Sequence, residues 1–263
     1  MPLVQPFLDN GFLLTALGAG VLAAWACAVV GTYMVLRGLS FIGDALSHGV
    51  LPGIWGAAVG SGVMIGGIGL IQRRTRLSGD TAIGLLFVGM LALGVVLVSR
   101  SPSFSGDLIK ILFGEILAST PQDLLIQAAA LAVTGALAWL LRRPFLLLCF
   151  SPEHAQVSGY SPRLLHVLML AMIAATVIVS FQTVGTMLVF GLLVAPAATA
   201  ALFARRMGAI MTGAGLLGTL AVFIGLNLSY HFNFAAGASI TVTAVALFFA
   251  ALPIKAWHGA RHG

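Results

Sequence analysis

The sequence predicts an all-α membrane protein, a polytopic bundle of about eight transmembrane helices with a short outer-face helix. Three observations carry that expectation. The 263 residues are 60% hydrophobic and only 8% charged, where a soluble domain carries about a quarter charged residues. Apolar runs of about 20 residues, long enough to cross a bilayer as a helix, recur along the whole length. The basic residues gather in short clusters between those runs, so the net charge of +6 reports orientation in the membrane rather than affinity for nucleic acid. With a mean hydropathy of +1.08 and no polar stretch long enough to build a soluble domain, residues 1–263 read as one transmembrane domain.

The first span covers 11–36, and the preceding ten residues lack the basic start of a cleavable signal peptide. Residues 39–71 follow, Gly-rich toward their end, with small-xxx-small pairs at Gly56/Gly60 and Gly62/Gly66 that allow close helix approach. Taken as one broken span kinked near Pro52, this region gives eight spans with both termini cytoplasmic. Taken as two short spans, it gives nine, with the N-terminus outside and Arg37 obeying the positive-inside rule. The segment is short for two crossings, which favours eight. Arg73, Arg74 and Arg76 mark a cytoplasmic loop before a span at 81–99. Between it and the span at 124–141, residues 109–117 are apolar around Lys110 and Glu115 but too short to cross, which predicts a short helix dipping into the outer face. Arg142 and Arg143 open the longest polar segment, which runs to Arg163. Spans at 164–181 and 185–204 are separated by a turn at 182–184, and Arg205 and Arg206 mark the inside again. The last spans are 209–228 and 238–252, with a cytoplasmic tail that carries Lys255, His258, Arg261 and His262. Cys27 and Cys149 are too few and too far apart for a disulfide framework and read as packing residues.

The stretch at 37–52 stands out because it places Asp44 and His48 between apolar runs. Four residues apart on a helix, the two side chains share one face. A carboxylate and an imidazole so placed suit a divalent cation, and ionisable groups within a membrane segment usually line a pathway. The plainer alternative is that they bond each other or a neighbouring helix. Other ionisable residues in or near the membrane are Glu115 and His231, with Asp107 and Lys110 near an edge. Neither of the two lysines, Lys110 and Lys255, follows a glycine, so the chain has no P-loop, and no hydrolase constellation is present. The cytoplasmic run P-E-H-A-Q-V-S-G at 152–159 predicts a short helix stopped by Gly159. It is either an ordinary connection or a docking element for a partner. His154 and His166 read as surface or interface residues.

Four blocks give the chain a resemblance to a known family. They are R-G-L-S-F-I-G-D-A-L-S-H-G-V-L-P-G at 37–53, L-F-G-E-I-L-A at 112–118, T-V-G-T-M-L-V-F-G-L-L-V-A-P-A-A-T-A at 183–200 and G-L-N-L-S-Y-H-F-N-F-A-A-G-A at 225–238. Together they resemble the ABC-3 permeases, membrane subunits of zinc, manganese and iron ABC importers. The first and third blocks are specific in combination. The resemblance implies a multi-pass permease of the cell (inner) membrane, paired with a second copy. Its partners are two copies of a cytoplasmic ABC ATPase and an extracytoplasmic metal-binding protein, with no nucleic acid. It puts Asp44 and His48 on the metal path, with His231 from the fourth block and Glu115 and Asn233 as further candidates. Glu153, Ala155 and Gly159 fall on the loop that couples to the ATPase. Two positions depart from the family pattern: many relatives carry an acid at the place of Asn233, and an amide is common at that of Glu115.

The expected function is therefore import of a transition metal without catalysis by this chain. Zn2+ or Mn2+ would be cargo rather than a resident cofactor, since an Asp/His set favours these over the all-oxygen ions. Nitrogen content tips the balance toward zinc. The alternative is a self-contained, proton-coupled secondary carrier using Asp44, His48 and Glu115.

Overall fold

The computed structural model describes residues 6–7, 10–39 and 116–260, with a few positions between 62 and 89. The described elements are α1 (Gly11–Leu36), a 3-10 turn (Ile116–Ala118), α2 (Pro121–Leu140), α3 (Arg142–Phe150), α4 (Pro152–Val157), α5 (Pro162–Val184), α6 (Thr186–Phe203), α7 (Met207–Phe232) and α8 (Ala236–Ala260). Among the described residues, six helices are long and apolar enough to cross a membrane: α1, α2, α5, α6, α7 and the Ala236–Lys255 part of α8. These match six of the eight spans expected from the sequence. The protein is a multi-pass helical membrane protein. The count between eight and nine turns on residues 39–71, which lie largely outside the described residues.

Helix α1 is the hub, and small residues make it so. Without Cβ atoms, or with only a methyl, neighbouring helices approach backbone to backbone. Gly20 faces Val222 and Ile116, Ala24 faces Gly218, and Trp25 covers Gly215. At Gly31 a Cβ would run into the carbonyl of Leu193 on α6. Those pairings fix direction: early α1 meets late α7 and late α1 meets early α7, so the two are antiparallel. Tyr33 also donates its hydroxyl hydrogen to the Ala138 carbonyl, 3.2 Å away near the end of α2, while Leu124 packs on Gly18. Helices α1 and α2 therefore run the same way.

One consequence corrects an expectation. Arg37 lies at the end of the bundle that also carries Arg142, Arg143, Arg163, Arg205 and Arg206, and Gly11 lies at the other. By the positive-inside rule the start of α1 faces outside, not the cytoplasm. An outer start with a cytoplasmic C-terminal end takes an odd number of crossings, so the packing of α1 against α7 agrees with the nine-span alternative and not with eight spans and both termini inside.

The ends of the helices follow from local chemistry. Gly38 (φ +66°) closes α1, its N–H donating to the Val35 carbonyl while Leu39 N–H donates to Met34. This double closure satisfies otherwise orphaned carbonyls, and the left-handed backbone favours glycine. Helix α2 starts with a capping box in which Thr120 and Asp123 satisfy each other's backbone N–H groups. Helix α5 continues through Val184, so the break before α6 is the single residue Gly185 at φ +85°, not a turn at 182–184. The expected outer-face dip is described only at its end, where the turn Ile116–Ala118 buries Ile116 against Gly20 of α1.

Candidate functional site

At the cytoplasmic end, α3 and α4 fill the polar segment between two spans. The sequence expectation covered α4; α3 was not anticipated, because its run R-R-P-F-L-L-L-C-F is too short to read as a span and too apolar to read as a loop. Ser151 starts α4, its hydroxyl accepting from His154 N–H at 3.4 Å and lying 2.7 Å from the His154 Nδ1. The helix ends on Gly159 at φ +83°, where Gly159 N–H donates to Gln156 and Tyr160 N–H to Ala155. This is the same double closure as in α1. The three residues expected to couple have different placements. Ala155 is fully buried, so it seats the helix and offers no surface to a partner. Glu153 and Gly159 are exposed and line a crevice of about 700 Å3 with Gln156, Tyr160 and Arg163. Val157, 89% exposed, projects from the same short helix.

Arg37, the first residue of the 37–53 block, ties the end of α1 to the start of α5. Its guanidinium donates to Nδ1 of His166 at 3.2 Å, because arginine has no acceptor. Burial lowers the Arg37 pKa, with neighbouring Cys149 acting in the opposite direction. Burial also pushes the Cys149 thiol up to about 11, against the pull of Arg37, so it stays protonated and inert near neutral pH. His166 is thus an interface residue, as the sequence suggested. The sequence reading gave Arg37 a topological role but missed this contact. The Gly38 stop directly after it is the signal that places it at a helix end facing a neighbour.

The opposite end presents the fourth block. His231 is exposed in the last turn of α7, with Tyr230 edge-on at a ring separation of 5.5 Å. Asn233 ends the helix in the left-handed region at φ 54°, a conformation asparagine and aspartate adopt more readily than most residues. Ser229 donates to the Phe234 carbonyl at 2.7 Å and secures the turn. Asn227 lies one turn below His231 on the same face. It is buried and donates to the Phe223 carbonyl at 2.8 Å, while its Oδ1 has no partner. Gln127 Oε1 and Ser180 Oγ are likewise buried without a hydrogen bond. Sequence reasoning passed over all three, since an uncharged polar residue in an apolar run is a weak signal. Asp44, His48 and Glu115 lie outside the described residues. Among the described residues no group of three His, Cys, Asp or Glu side chains is assembled to hold a metal.

The geometry defines a class: a multi-pass helical bundle with a short, largely exposed helix at its basic face. Residues 9–255 match the ABC 3 transport family. The chain is 38% identical over 253 residues to the manganese import system permease protein ScaB of Streptococcus parasanguinis, covering 92% of this chain and 88% of that one. It is 34% identical over 262 residues to the chelated iron transport system membrane protein YfeD of Yersinia pestis, covering 95% and 86%. Its structure resembles PsaBC from Streptococcus pneumoniae solved in complex with Fab, with a TM-score of 0.85 at 32% identity, covering 95% of this chain and 94% of that one. The chain belongs to the ABC 3 transport family, and it is a membrane component of an ABC transport system.

Proposed function

We propose that this chain is the permease subunit of an ATP-driven importer for a divalent first-row transition metal, receiving the ion from an extracytoplasmic binding protein and releasing it to the cytoplasm. The observation that carries this reading is near end-to-end similarity to membrane proteins named for manganese import and chelated iron transport. Those names put manganese and iron ahead of zinc for this chain. The zinc preference drawn from the histidine nitrogen is weaker, because site affinity alone follows a fixed order among these metals and does not set selectivity in vivo. ATP hydrolysis falls to a separate subunit in two copies, since the chain has no P-loop lysine. The permease itself pairs with a second copy, and residues 1–263 act as one transmembrane domain.

In this reading Asp44 and His48 carry the ion, and the α7 face from buried Asn227 to exposed His231 forms the outer approach. Few ligands with room for water favour passage over tight retention. Helix α4 couples through exposed Glu153 and its crevice, with Ala155 and Gly159 holding its shape. The test is uptake of radioactive manganese, iron and zinc by cells expressing matched amounts of each variant. Asp44→Asn and His48→Ala are expected to abolish uptake, losses beyond the roughly 10–100-fold effect of an outer-shell change, while His231→Ala gives a smaller defect. Glu153→Arg is expected to leave folded protein but weaken ATPase docking. Wild-type uptake by Asp44→Asn would remove the metal-path assignment.

A further inference from the structure

A cavity of about 400 Å3 opens between α1, α2, α3 and the first turns of α7. Its walls are apolar, with Val29 from α1, Gly135 and Trp139 from α2, and Gly208 and Met211 from α7. Arg142 stands at its rim, exposed and with no ion pair among the described residues. Trp139 beside it is 71% exposed, the position an interfacial aromatic takes at headgroup level. Because Arg142, Arg206 and Arg37 share the cytoplasmic end, the cavity lies at inner-leaflet depth, with its apolar part toward the bilayer centre. An apolar slot under a guanidinium at this interface has the two features that hold an anionic phospholipid: room for an acyl chain and a cation for the phosphate. A zwitterionic lipid fits the slot equally well but gains less at the rim.

We propose that this cavity is a specific site for an anionic phospholipid of the inner leaflet, with an acyl chain between α1, α2 and α7 and its phosphate on Arg142. The site touches the junction of α2 and α3, so an occupant would brace the helix pair that leads to α4.

Two glycines make the test direct. A Cβ added at Gly135 or at Gly208 meets nothing within 4 Å, so a leucine at either position enters the cavity rather than another helix. Native mass spectrometry of the full chain, titrated with phosphatidylglycerol or phosphatidylcholine of identical acyl chains, reads occupancy. The wild type is expected to hold one phosphatidylglycerol in preference to phosphatidylcholine. Arg142→Gln should reduce that preference roughly fivefold, and Arg143→Gln, outside the cavity, should not. Gly135→Leu should lose the tightly held lipid of either headgroup. Gly208→Leu repeats the test from the facing wall, so a folding defect in one variant does not end the experiment. Unchanged phosphatidylglycerol binding in both leucine variants overturns the proposal. Lipid retention combined with loss of a dimer in those variants also overturns it, by showing that a second copy fills the slot.

Discussion

Helices α1 and α2 run side by side in the same direction, both are apolar enough to span a bilayer, and they are held by different physics. Helix α1 buries most of its length through alanine and glycine, at Ala16, Ala19, Ala23, Ala24, Ala26 and Ala28 with Gly20 and Gly31. Helix α2 buries only Gln127, Thr134 and Ala138. Each of those three sits at a hydrogen bond: Gln127 to the Val179 carbonyl at 3.4 Å, Thr134 to Thr176 at 3.2 Å, and the Ala138 carbonyl to Tyr33 at 3.2 Å. Within lipid, where apolar surface gains little by leaving hydrocarbon, close packing and polar contacts are the two available adhesives. The hub uses the first and the peripheral helix the second. Hydropathy, which scores both helices as spans, is blind to this division.

The largest effect expected from that contrast concerns direction. With cysteines introduced singly, Asn10→Cys and Phe234→Cys should react only from outside and Ser158→Cys only from the cytoplasm. Labelling of Asn10→Cys from the cytoplasm would break the antiparallel pairing of α1 with α7, and the outward-facing start of α1 with it.

Next in size is the hub itself. Gly31→Leu would force α1 away from the Leu193 backbone, a contact that no rotamer change relieves. Overpacking a well-filled core commonly costs about 1–3 kcal/mol, and a backbone obstacle belongs at the upper end. Loss of folded protein, followed by detergent-resistant unfolding midpoint and membrane yield, is the expected result. A wild-type midpoint would show that α1 and α6 are not in close backbone contact.

Smaller effects should come from α2. Thr134→Val removes one hydroxyl of the Thr134–Thr176 pair and is expected to cost about 0.6 kcal/mol, the average for a polar contact between membrane helices. Leu125→Ala, on the exposed face of α2, should change the midpoint by less than about 0.5 kcal/mol. A large defect at Leu125 would instead show that this face is covered, as by the second permease copy. The pair of measurements thus distinguishes lipid from protein beside α2.

Much of this was legible in the sequence. The six described spans fall where apolar runs and basic clusters put them, since the bilayer demands about 20 apolar residues and biases the charges. The stop at Gly159 was legible too, because a left-handed helix end leaves few alternatives to glycine. The break between α5 and α6 was placed slightly early: Gln182, Thr183 and Val184 look like a turn beside Gly185, but continuing the helix satisfies their backbone groups in a membrane.

The candidate site divides along the same line. Asp44, His48, His231 and Glu153 are visible as ionisable residues in a chain that is only 8% charged, where each charge stands out against the background. Asn227, Gln127 and Ser180 are not, because their significance is that they are buried with an oxygen left open, and burial belongs to the assembled bundle. Ala155 shows the reverse: sequence put it on the coupling surface, and only packing turns it inward.

The sequence by itself determined the solvent of this protein, the approximate positions of its described spans, the glycine stop after α4 and the family pattern, all of which follow from local composition and local backbone chemistry. Tertiary structure alone decided that α1 is the hub, that its start faces outward, and that Arg37 reaches His166 on α5. Those facts depend on which small residues meet across helices far apart in the chain, and no single span contains the information.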